Sequence, residues 1–322
     1  MARASVEQKL QQLDDVSPTD GATFTTALKK ALSDKHYRVI AKAARLCQAH
    51  NLDQYRPELI AAYAHLQLND ALKKDPRCYA KTVICEVLYD LNYDKQDFYL
   101  AGLRYHQMEP AWGGFVDSGL DIRRICALGL TLTRCPRMNI ELLTVLYDEA
   151  ASVRAGAVAA IACLPVSIAE PMLRQKILGE DEAWVLGDCF TALLKLEPDQ
   201  SVDFVGSFLH HGDETLIEYA ALALGESRLD DAFVTLQQAW VSGVPEPMYH
   251  MMLLRGIVLH RSEAAYAFIL DVIRTNDHAL ALDALEQLAI YRANVNLKQQ
   301  VQTLVSDMQR ADLTDLFERA WA

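Results

Sequence analysis

Residues 148–164 read "DEAASVRAGAVAAIACL". Val153, Ala157 and Ile161 lie four residues apart, which places them in one stripe of an α-helix. The middle member is Ala, and a side chain that small lets a neighbouring helix approach closely. The same arrangement recurs on both sides of this stretch. Its middle column is Cys126, Ala157, Cys189, Ala220, Leu253 and Ala284, separated by 31, 32, 31, 33 and 31 residues. Four residues before each stand Ile122, Val153, Val185, Leu216, Tyr249 and Leu280; four after stand Leu130, Ile161, Leu193, Leu224, Ile257 and Leu288. A fixed period of this kind marks supersecondary units that bury their apolar faces only by stacking on one another.

Acids precede these helices at Asp121, Glu149, Asp181, Asp213, Glu246 and Asp277, near the first turn, where the partial positive charge of a helix start favours them. A break and a second apolar helix follow each one, at approximately 139–147, 166–178, 200–209, 230–241, 263–274 and 294–308. Towards the N-terminus, "HYRVIAKAARLC" and "DPRCYAKTVICEVL" continue the middle column at Ala43 and Ile84. The steps there lengthen to 41 and 42 residues, and the extra residues fall near 67–76 and 107–117. The pattern predicts an all-α fold, an α-α superhelix of about eight helical hairpins. Residues 1–33 form an N-terminal helical cap, 34–310 the array with its two insertions, and 311–322, with Phe317 and Trp321, a capping helix. No run alternates Val, Ile and Thr in the way a half-buried strand requires.

The units resemble HEAT repeats of the armadillo-type solenoid class, in the short version common in bacterial proteins. The resemblance covers about His36 to Arg310 and is carried best by 148–164 with its Val153-Arg154 pair. Arg123 is the counterpart of Arg154, whereas Leu186 and Ile217 break the pattern, so no Asp and Arg ladder runs the full length. Tetratricopeptide repeats have a similar period, but their Trp-Leu-Gly-Tyr signature is missing. The resemblance implies a long inner face suited to gripping another protein. It also admits enzymes of the same shape, such as phycobilin lyases and alkylpurine DNA glycosylases, as the alternative to an adaptor.

Net charge is −12. Residues 1–50 hold 8 basic and 5 acidic groups, while 180–231 hold 13 acids against Lys195 and Arg228. Phosphate backbones call for a basic track, so the expected partner is a protein, one with a basic surface suiting the acidity, and not nucleic acid. Seven cysteines without a CxxC pair read as small buried hydrophobes in a reducing cytoplasm, and neither a metal site nor a cofactor is expected. The longest uncharged stretch, 155–169, has 15 residues, short of the roughly 20 that span a bilayer. No export signal is visible, and no membrane partner is expected.

The insertion within "RYHQMEPAWGGFVDSGLDIRR", residues 104–124, is the candidate contact site, because insertions in repeat arrays gather on one face. Trp112 is the expected apolar anchor; Arg104, His106, Glu109, Asp117 and Arg123 are the expected orienting contacts. Trp112 packed on its own scaffold would pin the loop, and Trp112 left exposed would bind a partner. Glu109 and Asp117 form an acid and base pair only if they share a cleft with displaced pKa values. The chain has no Gly-rich phosphate loop, GxSxG or HExxH. No catalytic residues are assigned, and a non-enzymatic adaptor is the expectation.

Overall fold

The computed structural model describes residues 5–68, 70–242, 247–275 and 278–321. It divides into two compact units, Met1–Leu164 and Pro165–Ala322. Among the described residues there are twenty α-helices and a single two-stranded sheet.

The first unit runs α1 (Val6–Asp14), α2 (Ala22–Leu32), α3 (Tyr37–Ala49), α4 (Arg56–Gln67), α5 (Ala71–Lys74), α6 (Tyr79–Asp90), α7 (Gln96–Gly102), β1 (Met108–Ala111), β2 (Gly114–Asp117), α8 (Leu120–Leu130), α9 (Met138–Val145) and α10 (Ala151–Ile161). Ser5 opens α1 with a capping box shared with Gln8, which satisfies two orphan donors at once. Helices α3, α6, α8 and α10 pack in succession, so α8 lies against both α6 and α10.

The second unit runs α11 (Val166–Ile177), α12 (Ala183–Leu196), α13 (Pro198–Gly206), α14 (Glu214–Ser227), α15 (Asp230–Ser242), α16 (Pro247–His260), α17 (Glu263–Thr275), α18 (His278–Leu288), α19 (Val295–Met308) and α20 (Ala311–Ala320). Here α12, α14, α16, α18 and α20 form one row of next-but-one neighbours, and α13 with α15 and α17 with α19 supply the other. That is helical hairpin stacking: each helix buries its stripe against the following helix and the one after it.

The aligned columns are the core. Cys126, Ala157, Cys189, Ala220, Leu253 and Ala284 are all fully buried, as are the six residues four positions later, and Ala43 and Ile84 join them. Leu216 and Leu280 of the first column are half-buried, with Ile217 and Ala281 turned inward beside them. The spacing is tightest between α14 and α16. A Cβ on Gly225 would stand 1.9 Å from the Gly256 carbonyl oxygen, and one on Gly256 would stand 2.3 Å from that of Ala221. Asp213 caps α14 by accepting the Thr215 N–H at 2.8 Å; Glu246 and Asp277 lie outside the described residues. Trp321 is fully buried after α20 and donates to the Leu285 carbonyl at 3.3 Å.

The sheet corrects a purely helical expectation. Its strands are four residues each, too short for a period of two to stand out in the sequence. No helix among the described residues is long and apolar enough to cross a membrane.

The contact of α14 with α16 generates a direct test. Gly225→Ala forces a methyl group into backbone that cannot swing aside, so it should cost about 1–3 kcal/mol by overpacking. Gly179→Ala, where nothing lies within 4 Å, should leave thermal unfolding followed by circular dichroism nearly unchanged. Equal melting temperatures for the two variants would refute the close approach.

Candidate functional site

Within the stretch 104–124, residues 108–117 form a β-hairpin between α7 and α8, and α8 begins at Leu120. Pro110 lacks an N–H and disfavours helix interior. Gly113 holds φ at +90°, the sign that the third position of a type II turn needs and that glycine supplies without steric cost. The strands pair in antiparallel register, Met108 with Asp117, Glu109 with Val116, Pro110 with Phe115 and Ala111 with Gly114. Trp112 and Gly113 make the turn.

Two carboxylates fasten the foot of this hairpin. Asp117 Oδ1 accepts the backbone N–H groups of Gln107 at 3.0 Å and Gly119 at 2.8 Å. Its Oδ2 accepts from Arg123 Nη1 at 2.6 Å and lies 2.8 Å from His106 Nδ1. Burial alone would raise the Asp117 pKa, but the Arg123 guanidinium and the two N–H groups outweigh it and hold the carboxyl well below its usual range. Arg123 is only 3% exposed. It also grips Asp148 with Nε at 2.9 Å and Nη2 at 3.2 Å, and donates to the Tyr105 carbonyl at 3.0 Å. Burial would lower its pKa, yet the two carboxylates raise it above the ordinary value. A buried guanidinium between two acids ties the hairpin to the start of α8 and to the turn before α10, where Arg154 donates to the Asp148 and Glu149 carbonyls.

Glu109 is the second fastening. Its Oε1 accepts from the Arg77 N–H at 2.6 Å, Gln107 Nε2 at 2.8 Å and Ser118 Oγ at 2.6 Å. Burial pushes its pKa up, and these donors more than compensate, leaving it below the usual value. Gln107 Nε2 further donates to the Asp75 carbonyl at 3.0 Å, and Cys78 Sγ lies 3.3 Å from Ser118 Oγ. Asp75 in turn caps α6 through the N–H groups of Ala80 and Lys81, and pairs with the Lys81 ammonium at 3.2 Å inside the core. Residues 75–78 and the hairpin, which fall at the two places where the sequence spacing lengthens, therefore meet in space and are bonded to each other. Arg77 and Cys78 between them hold left-handed φ values of 57° and 53°, a cost these bonds offset.

The six sequence candidates fall into two groups. Glu109, Asp117 and Arg123 are committed inside the foot, with His106 beside them. Arg104 is exposed and pairs with Glu141. Trp112 is fully exposed at the turn, and Phe115 at 70%, Val116 at 55% and Met108 at 50% exposure are carried on the same hairpin. Sequence reasoning missed Phe115, Val116, Met108 and the fastening residues Gln107, Ser118, Asp75 and Asp148; the Gly-Gly turn at 113–114 was the signal that a hairpin would carry them. Chemically, the donors around both carboxylates favour the ionised form, and through them the carboxylates hold the hairpin backbone. Three of the buried thiols are subdued, since burial drives Cys78 up to about 11 and Cys47 and Cys189 up to about 12, whereas Cys163, against the expectation of buried cysteines, is exposed. A separate cleft of about 730 Å³ lies between α1 and α2, but it contains no residue of 104–124, and its Lys9 pairs with Asp34 at 2.7 Å.

No family model matches the chain, and no curated protein matches it. Among solved structures, the crystal structure of an engineered protein from the Northeast Structural Genomics Consortium is similar over 99% of this chain and 95% of its own, at 14% identity and a TM-score of 0.37.

The Asp117 fastening has a pH signature. A carboxyl whose folded pKa is depressed contributes stability that is complete above its unfolded pKa, about 3.9, and that is lost as pH falls below this towards the folded value. Asp117→Asn should therefore lower the melting temperature by a constant amount from mildly acidic to neutral pH, with the gap to wild type closing in stronger acid. A gap that widens on acidification would contradict this.

Proposed function

We propose that the chain is a non-enzymatic adaptor: a cytoplasmic superhelix of short HEAT-like hairpins that holds another protein on its inner helix row and on the hairpin of residues 104–124. The observation that carries this reading is Trp112 standing fully exposed on a hairpin whose foot is bonded in place. Four large apolar side chains, Met108, Trp112, Phe115 and Val116, are exposed on this one hairpin, and Trp is enriched at binding hot spots. Covering its roughly 200 Å² is worth up to about 5 kcal/mol at about 25 cal/mol per Å². The bonded foot removes most of the ordering cost that a floppy loop would subtract on binding. Arg104 and His106, exposed beside the foot, orient the partner. Glu109, Asp117 and Arg123 contribute by holding the tip in position.

Trp112→Ala should leave the unfolding free energy within about 0.5 kcal/mol of wild type, as for a surface change, and should weaken capture of the partner at least about tenfold. The comparison is an affinity purification with both proteins, the retained proteins being identified by mass spectrometry. A large loss of stability, or identical sets of retained proteins, would remove the adaptor reading.

A further inference from the structure

We infer that the hairpin receives an extended segment of a partner protein that pairs its backbone with the free edge of β2, covers Trp112 and Phe115 with apolar side chains, and sets a carboxylate against Arg77. This rests on the adaptor reading and specifies the partner's chemistry at that site.

The ladder decides which edge is open. Ser118 N–H donates to the Gln107 carbonyl at 2.9 Å, so residues 107 and 118 form a hydrogen-bonded pair. Hydrogen-bonded and non-hydrogen-bonded pairs alternate along an antiparallel ribbon. The Glu109 and Val116 pair and the Ala111 and Gly114 pair therefore point their backbone groups inward. Met108 and Pro110 point theirs to the outer edge of β1, and Phe115 and Asp117 to the outer edge of β2. Pro110 has no N–H, which blunts the β1 edge. The β2 edge keeps both N–H and carbonyl groups at Phe115 and Asp117, and an exposed edge of this kind is where an added strand pairs.

Charge selects the segment. The hairpin's own acids are satisfied within the foot, Asp117 by Arg123 and Glu109 by three donors. Arg77 is exposed, its N–H is bonded to Glu109, and among the described residues its guanidinium has no ion-pair partner. Lys73, also exposed, stands four residues before Arg77 and pairs with Asp70 at 3.8 Å. The unit that carries the hairpin is nearly balanced in charge: 1–164 hold 20 Lys and Arg against 19 Asp and Glu, whereas 165–322 hold 11 against 24. The complement of the hairpin is thus apolar and acidic, although the net charge by itself favours a basic partner.

The test selects random linear peptides of about a dozen residues displayed on phage against the full chain, with counter-selection on Trp112→Ala. The selected peptides should combine apolar residues with Asp or Glu. The leading synthetic peptide should lose at least about tenfold in affinity on Phe115→Ala, and several-fold on Arg77→Glu combined with Lys73→Glu or at high salt. Methylating its backbone amides one at a time should harm binding at alternate positions, the signature of strand pairing. Peptides that need Trp112 but are basic, or that tolerate every N-methyl group, would overturn this segment and leave the adaptor reading standing. Failure to select any Trp112-dependent peptide, with Trp112-dependent binding to phosphatidylcholine vesicles carrying phosphatidylserine instead, would overturn both and assign the tip to lipid.

Discussion

Close approach between successive first helices is the constraint on which everything else rests. A repeat unit of two helices cannot bury its own apolar stripe, so each one depends on the next. The middle column of small residues sets how near that neighbour can come. Where the column is backed by glycine, as at Gly225 and Gly256, helix backbone meets helix backbone with no side chain between. The larger residues one turn later, Leu130 through Leu288, then fill the space so formed and are fully excluded from water.

The spacing of the columns lengthens twice, near 67–76 and near 107–117, and the chain at these two places is bonded together. Asp75, Arg77, Gln107, Glu109 and Ser118 form one bonded group, and Arg123 joins it to the repeat through Asp117 and Asp148. A buried guanidinium is tolerated because both carboxylates engage it and its remaining donor finds the Tyr105 carbonyl. The repeat thus supplies a rigid base, and the insertions erect an apolar tip on it. The polar groups that look reactive in the sequence are the ones that make the tip stand still.

Charge shows the same division of labour. The acids gathered between residues 180 and 231 belong to the second unit, while the hairpin belongs to a nearly balanced first unit. Arg77, bonded through its N–H to Glu109 at the hairpin foot, is a local cation in a unit whose charge is otherwise nearly balanced.

The all-α class and most of the buried columns were legible in the amino-acid order, because a 3.6-residue stripe repeated every thirty-one or so residues makes helices that bury that stripe. The role of Trp112 was legible only as an alternative, since a Trp beside two glycines suits a pinned loop and an exposed tip equally. What separated them was the partnering of Glu109, Asp117 and Arg123. Those partners, Arg77, Gln107, Gly119 and Asp148, are 32, 2, 2 and 25 residues away. The long-range pairs exist only once stacking has brought two insertions side by side, and no local spacing encodes them. Helices and core were decided by the sequence, because periodicity acts within a turn or two of the chain. The exposed hairpin tip was decided by the tertiary structure, because polar bonding across the fold left those apolar side chains nothing of their own to cover.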